Sequence, residues 1–325
     1  MKKVLMLAVM MGMGGGAYAA DFSDLAGVKA ADLEAVFAAE GVAVPAISKG
    51  YVEPATPIEY VTIPGGKFTM GTTSVGQGFE NAKPVREVTI KTFAMAKTAV
   101  TVAQYAECVT KGGCTEPGTG NYCNWGKTGS ENHPVNCVDW NQAQAYAKFK
   151  GARLPSEAEF EYAATSGGQN RKYPWGNQKP TSELAVFDTN GTMPVCSRPK
   201  GNTADGLCDM SGNVWQWVQD KYRDSYEGAP VDGSAFEGEG FSRVVRGGCF
   251  RNVDAELLLR ADHRFNGDPG FRNYGNGFRL VRSDTKDQAL ELQDCITKVE
   301  MYGIVHPEVE KSTLAAMKAK CRAGR

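Results

Sequence analysis

Apolar and polar positions alternate, or recur with helical spacing, in a series of short segments separated by long irregular stretches. Val4–Met13 is an unbroken apolar run behind Lys2 and Lys3. Ser23 to Glu40 carries Leu25, Val28, Leu33, Val36 and Phe37 at helical spacing, ended by Gly41 and Pro45. Glu59–Ile63 predicts a strand, Gly65-Gly66 a tight turn, and Val85–Phe93 a further strand. Thr101 to Val109 predicts a helix capped by Thr101, with Val102, Tyr105, Ala106 and Val109 facing inward. A second helix starts at Ser156, whose side chain and that of Glu159 can satisfy each other's free backbone amides. Glu157 and Glu159 also suit the positive end of that helix, so capping explains these carboxylates better than acid–base catalysis. Trp215 and Trp217 alternate, so one is expected to face a core. Strand-like runs surround Val244-Val245 and Gly277–Val281, and the thirty or so residues between them have little periodicity. Irregular chain of that length between core strands is usually a functional surface. Arg260, Arg264, Arg272 and Arg279 there would need carboxylate or carbonyl partners if buried. Beyond Arg282, Leu290, Leu292, Ile296, Val299 and Met301 suit one helix, and Pro307, Val309, Leu314 and Met317 a second.

The positively charged start, the short apolar run and Ala17-Tyr18-Ala19 together predict a signal peptide over residues 1–20, too short to span a bilayer. Export to a periplasm or beyond follows. The 325 residues then divide into an appendage and linker (21–57), a main domain (58–283) and a C-terminal helical extension (284–325). A net charge of −1 gives no basic bias for nucleic acid. Nine cysteines in an exported chain make disulfides the default. Eight of them form close sequence pairs: Cys108 with Cys114, Cys123 with Cys137, Cys196 with Cys208, and Cys295 with Cys321. Spacing alone does not fix the connectivity. Cys249 is left as a single thiol. Three histidines and no C-x-x-C make zinc a poorer reading.

Several motifs then fall in one order: PGGKFTMG from Pro64, HPVNCVDW from His133, RLPSEAEFEY from Arg153, YPWGN from Tyr173, DMSGNVWQW from Asp209, RGGCF from Arg246 and GFR from Gly277. The chain resembles the formylglycine-generating enzyme (sulfatase-modifying factor) family across residues 58–282 or so. The resemblance implies an α+β, C-type-lectin-like domain with few regular elements, here with short helical N- and C-terminal extensions. Family enzymes hold copper(I) on two cysteines, three and eight positions after the serine of their G-G-S, and oxidise a client cysteine. Cys249 stands at the serine position, and Asn252 and Leu257 at the cysteine positions, in a segment one residue shorter than in the enzyme. A copper-dependent oxidase is therefore not expected. The loop from Asp209 resembles a family calcium site, which implies ligands at Asp209, Gly212, Val214 and Gln216, the last replacing a glutamate. Ala99 also departs from the family, which has a glutamate there.

Two functions remain. One is a binding or scaffold module whose face over residues 250–276 presents Phe250, Arg251, His263, Phe265, Phe271, Arg272 and Tyr274 to a protein, peptide or glycan. The other is a family enzyme using Cys249 with a metal, or as a nucleophile with His263 as base.

Overall fold

The computed structural model describes residues 57–76 and 78–283, with Lys311, Thr313–Ala315, Met317 and Lys318 of a C-terminal helix. The expected signal peptide and the appendage lie outside the described residues. The chain divides into two units between Pro57 and Ile58, and the elements described belong to the second.

Three small sheets share the body. In the first, β1 (Tyr60–Ile63) and β9 (Val281–Ser283) flank β4 (Phe93–Ala96) on antiparallel ladders. The start and end of the domain are thereby tied together. β2 (Gly66–Met70) and β3 (Arg86–Ile90) form a two-stranded antiparallel ribbon. The stretch predicted as one strand, Val85–Phe93, thus divides at Lys91-Thr92 and feeds two sheets. The third sheet runs β7 (Arg264–Gly267), β6 (Arg243–Arg246), β5 (Trp215–Lys221), β8 (Asn276–Phe278), with β8 parallel to β5. Its strands β6, β7 and β8 bracket the irregular face.

Helices α1 (Val102–Thr110), α2 (Trp140–Phe149) and α3 (Glu157–Ala164) each begin with a capping box, set by Thr101 and Gln104, Asp139 and Gln142, and Ser156 and Glu159. Such a box satisfies two of the amides that a helix start leaves free, and losing the cap residue costs about 1 kcal/mol. α3 is buried at all eight positions, the three glutamates included. Regular structure also enters the expected irregular segment, as β7 and the single-turn helix α4 (Ala255–Leu258).

One apolar cluster packs Phe68, Met70, Val88, Phe160 and Met210 between the ribbon and α3. A second packs Tyr105, Tyr146, Trp217, Phe250 and Phe278 around α1, α2 and β5. Both tryptophans of the alternating pair are largely enclosed: Trp217 donates its indole N–H to the Val138 carbonyl at 3.0 Å, while Trp215 keeps an edge at the surface. Disulfides Cys108–Cys114, Cys123–Cys137 and Cys196–Cys208 staple the long connections, in the pairs that lie close in sequence. The bridges described are therefore three where the sequence predicts four. The fourth expected pair, Cys295 with Cys321, falls in the C-terminal extension, and both Cys295 and Cys321 lie outside the described residues. Among the described residues no helix is long and apolar enough to cross a membrane.

Candidate functional site

Beneath α3 the arginines of β6 and β7 meet the helix glutamates. Arg264 binds Glu157 through two hydrogen bonds of 2.7 and 2.6 Å, and Arg246 donates to Glu161 and to the His263 carbonyl. All four side chains are enclosed. Removing one member of such a cluster would strand its partner's charge, a loss of about 3–5 kcal/mol. Asp220 completes the cluster by accepting the Glu157 and Phe236 amides; burial, and then the neighbouring Glu157, push its carboxyl up to about 7. These residues are buried and serve as a frame.

β6 leaves that frame at Arg246 and turns through Gly247 and Gly248, both at positive φ. A side chain on Gly247 would meet the Met210 carbonyl at 2.6 Å, and one on Gly248 would meet Leu259. The turn delivers Cys249 to the base of the irregular face. Cys249 is buried and unbridged. Its backbone N–H is held by Asn252 Oδ1 at 2.6 Å. Burial pushes the thiol up from its ordinary value, against the hydrogen bonds it receives from the Arg251 and Asn252 amides and from Trp215. At neutral pH this is a thiol and not a thiolate, hence a poor nucleophile. Asn252 thus braces the turn, while Leu257 lies over Gly78 on α4. No second sulfur stands free near Cys249 among the described residues, because every other described cysteine is in a disulfide.

Of the seven residues expected on the binding face, Arg251, Phe265, Phe271, Arg272 and Tyr274 are exposed. Phe250 is not: it turns inward, fully enclosed between Tyr122 and Tyr274 and the second core cluster. The glycine turn after β6 carries Phe250 back into the core, where its ring meets Tyr122 and Tyr274, while Arg251 stays at the surface. His263 is also enclosed, against the Trp215 ring at 5.9 Å, and neither ring nitrogen has a hydrogen-bond partner. Burial, and then the nearby Arg246, push its pKa down to about 4, so the imidazole is neutral.

The exposed patch includes residues that sequence reasoning passed over. Tyr122, immediately before Cys123 of the Cys123–Cys137 disulfide, lies 5.4 Å from the Tyr274 ring, and Arg251 sits 5.2 Å above it while bonding Asn190. Gly275 is the gap between this patch and the thiol. A side chain there would lie 3.1 Å from Cys249 Sγ. Trp215 donates its amide to the Gly275 carbonyl and carries Phe265 on its ring. A tyrosine beside a cysteine in a glycine-rich stretch was the available signal for Tyr122. Its pairing with Tyr274, 152 positions away in the chain, is not readable from local pattern.

Of the four residues expected to hold calcium (Asp209, Gly212, Val214 and Gln216), Asp209 and Gln216 have other polar partners. Gln216 gives its side-chain oxygen to Arg279 Nε and its amide hydrogen to the Asp209 carbonyl at 2.8 Å. Arg279 Nη2 takes the Cys208 and Asp209 carbonyls at 2.6 and 3.3 Å. One Asp209 carboxylate oxygen accepts the Cys196 amide at 2.9 Å. Gly212 stands at positive φ against the Val186 carbonyl, where a side chain would approach to 2.7 Å. The Gln216 side-chain oxygen is thus engaged by a buried guanidinium, and calcium would have to compete with Arg279 for it. Among the described residues, no three His, Cys, Asp or Glu gather as a metal cluster.

The small sheets, few helices and long stapled loops define an α+β domain of the C-type-lectin-like kind that formylglycine-generating proteins share. Residues 50–284 match the sequence family described as "Sulfatase-modifying factor enzyme 1-like domain", and the chain belongs to that family. The serine/threonine-protein kinase Pkn1 of Chlamydia trachomatis serovar L2 is 35% identical over 69% of this chain, but the match spans only 38% of that kinase. The formylglycine-generating enzyme of Streptomyces coelicolor is 32% identical over 68% of this chain and 88% of its own length. In structure, PvdO from Pseudomonas aeruginosa superposes with a TM-score of 0.59 at 31% identity, over 69% of this chain and 94% of that one.

Proposed function

We propose that this chain is an exported binding or scaffold module of the sulfatase-modifying-factor family that lacks formylglycine-generating oxidase activity. The observation that carries the reading is the sulfur count at the base of the face. Copper(I) favours soft sulfur donors, and an oxidase of this type needs two thiolates to hold it. Here Asn252 braces the turn, Leu257 packs on α4, and Cys249 alone presents a protonated thiol. The relatives' names range over kinases, formylglycine-generating enzymes and an inactive bovine paralogue, so family membership alone assigns no chemistry. Three disulfides in the described body support an oxidising compartment.

The ligand is a protein, peptide or glycan that meets Tyr122, Tyr274, Arg251 and Phe265. Exposed aromatic rings and an arginine stacked above one of them are the groups that carry binding energy at interfaces. Screening the purified chain against glycan and peptide arrays, beside an Arg251→Ala/Tyr274→Ala variant, tests this. A ligand bound by the parent chain and lost by the variant supports the face. A ligand that both bind equally places the binding site elsewhere.

One observation favours a second reading, a family enzyme that uses Cys249. The neutral imidazole of His263, with both nitrogens free of partners, and the thiol both contact Trp215. A mass shift at Cys249 during turnover of any substrate, abolished by Cys249→Ser, would favour it over the binding module.

A further inference from the structure

Arg279 is wholly enclosed, and each of its five N–H groups can be accounted for. Nε donates to Gln216 Oε1; Nη1 donates to the Ala96 and Lys97 carbonyls at 3.0 and 3.2 Å; Nη2 donates to the Cys208 and Asp209 carbonyls. No carboxylate receives any of these bonds. The acceptors come from three separate parts of the chain: the end of β4, the Cys208-Asp209 corner and β5. Asp209 adopts a left-handed φ of 49°, the conformation that aims its carbonyl at this point. Of the oxygens expected to hold calcium, Arg279 takes the Gln216 side-chain oxygen; its other acceptors are the backbone carbonyls of Ala96, Lys97, Cys208 and Asp209.

Charge settles which cation the loop can hold. Asp209 carries the loop's carboxylate, and Arg279 is close enough to act on it electrostatically. Gln216 adds no charge. Burial holds the Asp209 carboxyl above its ordinary pKa, and a divalent ion added beside Arg279 would bring positive charges that no second carboxylate of the loop offsets. Such charges cost several kcal/mol each after relaxation. A glutamate at position 216 would have left a net negative charge to attract the ion.

We propose that Arg279 is the resident cation of the Asp209–Gln216 loop, and that the glutamine at position 216 makes this loop calcium-independent. The inference does not depend on what the face binds. After stripping with chelator, the purified chain would be titrated with calcium by equilibrium dialysis and its Tm read with calcium and with chelator. An Asp209→Asn variant, which keeps an oxygen for the Cys196 amide, is measured in parallel. The expected result is a Tm that moves by less than about 1 °C between the two conditions. A parent chain that binds no stoichiometric calcium upholds the proposal. Stoichiometric calcium bound by the parent chain and lost in Asp209→Asn would overturn it.

Discussion

The charged frame under α3 and the face spanning Cys249–Arg272 are joined by β6 and its glycine turn, yet they use similar residues differently. In the frame, Arg246 and Arg264 are enclosed and matched to Glu161 and Glu157 at hydrogen-bond distance. On the face, Arg251 stacks above Tyr122 and Arg272 reaches Asp139 at 3.2 Å, both with solvent access. Pairing inside a protein leaves no freedom to exchange a partner without stranding a charge. A half-solvated arginine can trade its contact for a ligand at little cost. The frame is fixed by its buried pairs, and the face is not.

The largest effect expected is in the frame. Arg264→Met would leave Glu157 buried without its two hydrogen bonds and lower unfolding stability by about 3–5 kcal/mol. Urea denaturation would show this as a lower midpoint at an unchanged slope. A loss under about 1 kcal/mol would mean that the two regions do not differ in this way.

His263 lies where frame and face meet, and its neutral burial predicts a pH effect. With a folded pKa near 4 and an ordinary value of 6.5, the unfolded chain takes up the proton first as pH falls. Stability attributable to this group is intact above 6.5 and is lost as pH falls toward about 4. The full span is on the order of 3 kcal/mol. Asp220, whose pKa is raised to about 7, acts oppositely, since its stabilising protonated state is lost as pH rises from about 4 toward 7. Comparing the parent chain with His263→Phe between these limits isolates the histidine: the variant should lose less stability on acidification. Equal slopes would place a partner on the imidazole.

Much of the frame was legible. Ser156 and Glu159 announce a helix start because capping is local chemistry, and the spacing of Thr101 to Val109 placed α1 to within a residue. Three disulfides fall in neighbouring cysteine pairs because each closes a short loop. The same reasoning paired Cys295 with Cys321 across a longer loop, outside the described residues. The demand that the buried arginines find partners was readable too, although the identity of those partners was not. Arg264 meets Glu157 across 107 positions of chain, and only the topology brings them together. The face was harder to read. Phe250 looked like a surface aromatic because an apolar residue in an irregular stretch shows no periodicity to place it. The Asp209–Gln216 loop matched a metal-binding pattern locally, while the guanidinium that engages the Gln216 side-chain oxygen comes from Arg279, just past β8.

Smaller effects belong to the face. Cys249, buried and with a raised pKa, should react slowly with iodoacetamide at neutral pH in the folded chain and readily once unfolded. Fast labelling of the native protein would make it a thiolate. Phe265→Ala and Phe271→Ala remove exposed rings and should shift stability by no more than about 0.5 kcal/mol in thermal melts, in contrast to any member of the frame.

The separation of a preserved frame from an altered face is tested most directly by the family's own reaction. Purified chain, copper and oxygen would be incubated with a peptide bearing a sulfatase-type cysteine motif, and the peptide mass followed. With one protonated thiol at the base of the face and no second free sulfur beside it among the described residues, the peptide cysteine should remain unchanged. Conversion to formylglycine, abolished by Cys249→Ser, would contradict the account and make Cys249 the metal ligand.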